Sequence, residues 1–233
     1  MISFSCYGNL IFGQELKGDD ALENLLKIGS SDVSFGVVRK FDNRYSGVQG
    51  SPFFFDYWSE GTLVTSDGRQ IENIRIKYNA HEDELITKNK SGQFYLPKTM
   101  VKSFTLIERA SGTGIRFSKH RHPKNAHEYQ FYRIIHLGAI DLLEHIKVIF
   151  EKANFEGGYS NDKPYDEFKK YPVIYYIGRQ TTTPRKLKTT VNGVSKIFPE
   201  HENEIKEFIT TNRLDCKNER DLIRIVNFYE SPE

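Results

Sequence analysis

From Trp58 to Glu108 apolar side chains recur at every second residue, the period of strands with one face in a core and the other in water. Ile74, Ile76 and Tyr78 fall on one side and Asn73, Arg75 and Lys77 on the other, so a long strand is predicted over 69–78. It pairs with 61–65 through the turn dipeptide Asp67-Gly68. Ile71 is out of phase with its neighbours, which places a bulge near Glu72. A polar turn at 81–83 leads to Leu85 and Ile86, and a second turn at 89–92 leads to Phe94 and Leu96, where Pro97 ends the run. Val101 to Glu108, with Phe104 and Leu106 inward, completes an antiparallel meander.

Ile115 and Phe117 continue the pattern as a short strand, followed by a polar, basic loop over 119–127. Residues 128–137 alternate again, with Tyr129, Phe131, Ile135 and Leu137 on one face. The segment 139–151 fits both periods; its isoleucines, its valine and the preceding Gly138 favour a strand. Gly157-Gly158 and Asn161-Asp162 mark 152–170 as a loop, and 172–177 and 185–190 supply two further strands. The spacing then becomes helical. Val194, Ile197 and Phe198 open a first helix, with Pro199 and the acidic Glu200, Glu202 and Glu204 in its early turns and Ile205, Phe208 and Ile209 as its stripe. Asn218 with Asp221 caps a second, whose inner face is Leu222, Ile225, Val226 and Tyr229. Helices this short do not hold their shape alone, so both are expected to dock on the sheet, with another protein as the alternative.

The expected architecture is mainly β within the α+β class: a strongly curved antiparallel sheet or incomplete β-barrel over 51–190. An arm over 14–50 precedes it, with a short helix at 20–28, and a two-helix appendage over 191–233 follows. At 233 residues, 38% of them hydrophobic and rich in Tyr and Phe, the chain can bury a core without metal or disulfide staples. The net charge of +2 is too small to favour nucleic acid as a partner. No run of about 18 apolar residues exists, so no transmembrane helix is expected, and Lys77, Lys88 and Arg133 interrupt the lipid-facing sides an outer-membrane barrel would need.

Met1 to Gly13 contains no charged residue and carries Ile2, Phe4, Leu10, Ile11 and Phe12, the make-up of a secretory signal processed before Gln14. An ordinary first strand, or a lipidated Cys6, are the other readings, and Cys216 is then the one thiol left for the mature chain. The segment Gly50-Ser-Pro-Phe-Phe-Phe-Asp-Tyr-Trp58, followed by Gly61, Asp67-Gly68, the Ile-Arg-Ile-Lys-Tyr-Asn run at 74–79, Asp83-Glu84-Leu85 and Leu96-Pro97, resembles a family of uncharacterised exported proteins of Bacteroidota bacteria. The resemblance covers about 40–108 well and the C-terminal fifth more loosely. It implies an envelope location and carries no activity, cofactor or catalytic residue.

Phe53, Phe55, Tyr57 and Trp58 either plug one end of the sheet or form a ligand-binding platform. His120, His122 and His127 are the candidate metal ligands, since alternate histidines on a strand face one ion and a third closes the site. Lys119, Arg121 and Lys124 oppose a divalent cation there, and Glu128 is the nearest carboxylate base. His136 and His145 read as sheet residues near a turn. Cys216 precedes a helix N-terminus but no motif gives it a partner. Nucleotide-binding glycine loops, the Gly-x-Ser-x-Gly elbow and His-Glu-x-x-His are all missing, so no cofactor is expected. The leading expectation is a non-enzymatic envelope protein that binds a partner protein, a glycan or a lipid. A metal-dependent hydrolase with His120 and His122 on the concave face of the sheet, and a cytosolic interaction module, are the alternatives.

Overall fold

A computed structural model of the chain describes residues 16–18, 20, 22–24, 45–90, 92–125, 127–154, 164–177 and 183–231. The expected signal segment, Cys6, most of the arm, and the breakers at 157–158 and 161–162 lie outside the described residues. Of the helix expected at 20–28, the described residues 20 and 22–24 are helical, as is Gly18.

The described strands are β1 (Leu16–Lys17), β2 (Ser59–Thr65), β3 (Gln70–Asn79), β4 (Glu84–Asn89), β5 (Gly92–Leu96), β6 (Val101–Ile107), β7 (Gly114–Arg121), β8 (Tyr129–His136), β9 (Asp141–Glu151), β10 (Glu167–Ile177) and β11 (Arg185–Lys186). Ten of them follow the order β11-β10-β9-β8-β7-β6-β2-β3-β4-β5, and β1 lies parallel to β3. The protein is thus mainly β, an antiparallel sheet with short helices, as the alternation implies. It is an open sheet, not closed and only weakly curled, against the strong curvature expected.

The β2–β3 hairpin turns at Gly68, whose φ of +89° suits glycine. The bulge also stands: the register slips between Gly61 and Leu63, and Asn73 opposite takes φ +55°, so Ile71 and Ile74 both face the core. The meander does not close as expected. β6 pairs with β2 instead of β5, because the 97–100 link is a turn, closed by the Met100 amide on the Pro97 carbonyl, that carries the chain away from the β5 edge. Lys119, His120 and Arg121 belong to β7 and not to a loop, held opposite Phe131, Gln130 and Tyr129 of β8. The ambiguous 139–151 segment is a strand, β10 begins at Glu167 inside the expected loop, and only Arg185–Lys186 of 185–190 is strand. Pro172 is tolerated within β10 because β11 reaches only Tyr175 and Tyr176 on that side.

The described residues form two clusters of buried side chains. Leu63, Ile74, Ile76, Tyr78, Phe104, Phe117 and Phe131 form the heart of the first, with the Phe104 and Phe117 rings stacked 4.7 Å apart. Each such side chain contributes roughly 1.5–3 kcal/mol by leaving water. In the second, Ile140, Leu142 and Leu187 meet α1 (Val191–Ser195), α2 (Glu202–Thr211) and α3 (Glu219–Glu230) through Val194, Ile205, Ile225 and Val226, with Phe198 of the α1–α2 link packed among them. The C-terminal helices therefore dock on the sheet. One boundary differs: 196–201 is not helical, since Pro199 lacks an amide proton and disfavours a helical Phe198, and α2 starts at Glu202. Asn218 caps α3 as expected, its Oδ1 accepting from the amides of Arg220 and Asp221.

Candidate functional site

β8 and β9 pair only where Arg133–His136 meets Leu142–Glu144. Below that point the two strands part, and residues 129–132 of β8 and 145–151 of β9 form no ladder with each other. The turn after β3 enters this split. Asn79, buried at its base, accepts the amides of His81 and Glu82 on Oδ1, and the Pro52 carbonyl accepts the amides of Ala80 and His81. His81 Nδ1 then reaches the Val148 carbonyl on β9 at 2.9 Å, and Asp83 Oδ1 accepts the Phe131 amide of β8 at 3.2 Å. The Phe131 carbonyl is met by His145 Nδ1 at 3.4 Å. Backbone groups that would have bonded strand to strand are satisfied by three side chains instead.

The split leaves a cleft of about 640 Å³ between the 80–83 turn, residues 122–124 and 128–130, β9 and Tyr175 of β10. That volume lies within the range of small-molecule sites. Asp83 is its best-anchored polar group. Its Oδ1 also accepts the Tyr78 hydroxyl at 2.7 Å, and its buried Oδ2 faces the Lys98 ammonium at 2.5 Å as a charge contact rather than a directed hydrogen bond. Its φ of +55° is a conformation that Asp tolerates better than most residues. Burial raises the Tyr78 hydroxyl well above its ordinary pKa, with the Asp83 charge adding to it, so the phenol stays a donor. Burial lowers His145, partly opposed by its bond to the Phe131 carbonyl, which leaves a neutral imidazole at neutral pH.

His120, His122 and His127 do not come together. His120 Nε2 meets the Ser118 hydroxyl at 2.7 Å and its ring lies 5.8 Å from that of Tyr132, while burial lowers its pKa. His122 lines the cleft, its Nδ1 accepting the amides of Lys124 at 3.2 Å and Asn125 at 3.1 Å. His127 is exposed, and its amide is bonded to Asn125. Among the described residues no three His, Cys, Asp or Glu side chains converge to hold a metal ion.

The aromatic platform is engaged by its own chain. Lys77 lies 4.0 Å above the Phe53 ring, Phe55 stacks on Tyr57 at 4.9 Å, Arg109 covers Tyr57 at 4.4 Å and Lys88 approaches Trp58 at 5.9 Å. Phe54 plugs the core against Phe117, and Tyr57 and Trp58 border a recess of about 290 Å³. Cys216 is buried, and that burial, with Asp215 and Asp221 nearby, pushes its thiol up, away from the reactive thiolate. Sequence reasoning missed Asp83, Lys98 and Ser118 and treated His145 as an ordinary sheet residue. The Asn79 to Asp83 run announces a turn, but nothing local shows that the turn enters a split 48 residues further on. No family model, curated protein or solved structure matches the chain, so the case for function rests on this cleft.

Proposed function

We propose that this chain is a non-enzymatic binding protein of the cell envelope, with the cleft between β8 and β9 as its ligand seat. One observation carries the reading: in the cleft, the Asp83 carboxylate and the Nδ1 atoms of the histidines are committed to holding the fold. Asp83 holds Tyr78, Phe131 and Lys98, and His122 and His145 each use Nδ1 on backbone groups. The lining, in which Tyr129, Phe150 and Tyr175 alternate with Lys98, Lys124 and Glu128, suits a polar ligand better than a lipid chain. The envelope location rests on the uncharged Met1 to Gly13 and on the resemblance at 50–97.

A second reading, a hydrolase, is favoured by the Ser118–His120 contact, in which a neutral imidazole meets a hydroxyl. Thermal-shift screening of the full chain with peptides, lipid micelles and oligosaccharides, beside chromogenic esters and phosphates, separates the two. Stabilisation by one ligand class, lost when Lys147→Trp blocks the cleft, and no turnover is the expected result. Ester or phosphate turnover abolished by Ser118→Ala would replace the binding reading with the hydrolase. Cell fractionation, with the mass of the mature N-terminus, tests the location.

A further inference from the structure

Resting on the cleft as ligand seat, the geometry points to a glycan as its occupant, held through two histidines locked in opposite tautomers. On His122, Nδ1 accepts two amides, those of Lys124 and Asn125, so in the neutral ring the proton sits on Nε2. On His145, Nδ1 lies against the Phe131 carbonyl, an acceptor only, so Nδ1 carries the proton and Nε2 keeps a lone pair. Both rings line the same cleft. His81, with Nδ1 against the Val148 carbonyl, lines it too, so the cleft contains one imidazole N–H donor and two imidazole acceptors, each held by the backbone of the fold.

A sugar hydroxyl donates and accepts at once, and neighbouring hydroxyls on a ring present both roles side by side, which matches such a pair. At this pair of rings a carboxylate or phosphate satisfies only the donor and an ammonium only the acceptor, and the rest of the lining carries both signs, Lys98, Lys124 and Lys147 beside Glu82, Asp83 and Glu128. The Tyr175 ring, and that of Tyr129, 42% exposed with Lys119 and Arg121 at 5.5 and 5.7 Å from its centre, add aromatic surface against which the apolar face of a sugar packs. The ring of Tyr132, fully buried and within 6 Å of those of His145 and Tyr175, backs this wall, so the acceptor imidazole is held in place.

The experiment uses the full chain on a printed array of neutral and acidic oligosaccharides, with the strongest hit titrated by calorimetry. The variants are His122→Asn and His145→Asn. Asparagine keeps an amide atom near Nδ1, so each variant retains the structural bond and loses only the Nε2 function. A neutral oligosaccharide is expected to bind, and each variant to weaken it about tenfold with its melting temperature unchanged. A proton spectrum tied to imidazole nitrogen shifts should also show His122 as the Nε2–H form and His145 as the Nδ1–H form. An array without a hit, a hit that both variants bind unchanged, or the same tautomer at both rings overturns the glycan assignment. The binding reading is judged apart from this: a peptide or lipid that stabilises wild type but not Lys147→Trp would keep it while the glycan fails.

Discussion

His81, on the turn after β3, places Nδ1 2.9 Å from the carbonyl oxygen of Val148 in the middle of β9. A side chain from one hairpin thus occupies a hydrogen-bonding position that belongs, in a regular sheet, to the neighbouring strand. Asp83 does the same for the Phe131 amide of β8. The turn acts as a wedge that keeps β8 and β9 apart, and the cleft is the space it holds open.

Asp83 is the residue on which the wedge depends. Replacing it with Ala strands the Tyr78 hydroxyl, which is almost fully buried, together with the Phe131 amide and a half-covered Lys98. Two orphaned donors and a charge still reached by water amount to about 2–4 kcal/mol. Urea unfolding should show that loss for Asp83→Ala and roughly half of it for Asp83→Asn, which tolerates the positive φ and keeps one acceptor. Equal stability of the two variants would mean that the carboxylate does not brace the split.

Gly50 ties the aromatic segment to β10. The Gln49 amide donates to the Asp166 carbonyl and the Phe168 amide to the Gln49 carbonyl, and a Cβ on Gly50 would lie 2.5 Å from the Phe168 oxygen at a φ of +73°. Strain and clash act together, so Gly50→Ala should lose about 2–4 kcal/mol. Gly47 has a similar φ of +83° but open space around it, and Gly47→Ala should lose only about 1 kcal/mol. Denaturant curves of the two variants side by side measure the contribution of the close approach.

The strands were legible wherever one face is buried and the partner is the next strand, as for Ile74, Ile76 and Tyr78 or Phe104 and Leu106, because alternation is itself the record of that burial. The Asn218 cap was legible for the same local reason. Pairing between distant strands was not: the residues of β5 and β6 alternate equally well whether β6 returns to β5 or to β2. The site was the least legible part. His122 and His145 stand out as residue types, yet their closeness follows from a split between strands, and Asp83 looks like any acidic turn residue until Tyr78, Lys98 and Phe131 are placed around it.

Arg133 joins the sheet to the last helix. Its guanidinium meets Glu144 on β9 at 2.6 Å and the Glu219 carboxylate in the first turn of α3, with Arg133 and Glu144 both mostly shielded. Arg133→Gln leaves Glu144 buried without its cation and frees α3 at one end, while His136 and the Ile140 amide still hold Glu230 at the other. The expected result is a loss of about 2–3 kcal/mol, with amide exchange rising first in 219–226. Exchange rising evenly across the sheet would place the role of Arg133 in the β8–β9 ladder alone.

Acid should act on the two neutral imidazoles. Burial holds both His120 and His145 below the ordinary 6.5; around His145 the Phe131 carbonyl and Asp83 oppose this, and His122 and Lys147 reinforce it. The unfolded chain therefore binds protons at these sites that the folded chain does not, so stability is full above pH 6.5 and is lost as pH falls from there through the lowered folded values. Each residue contributes a slope of at most about 1.4 kcal/mol per pH unit inside its window. Stability measured in urea from pH 7.5 to 5.0 should decline below the midpoint of that range, and the decline should flatten in His145→Gln and flatten further with His120→Gln added. Protonation also turns His145 Nε2 from acceptor to donor, so oligosaccharide affinity should fall over the same interval; affinity that holds steady while stability drops would separate the ring from the ligand.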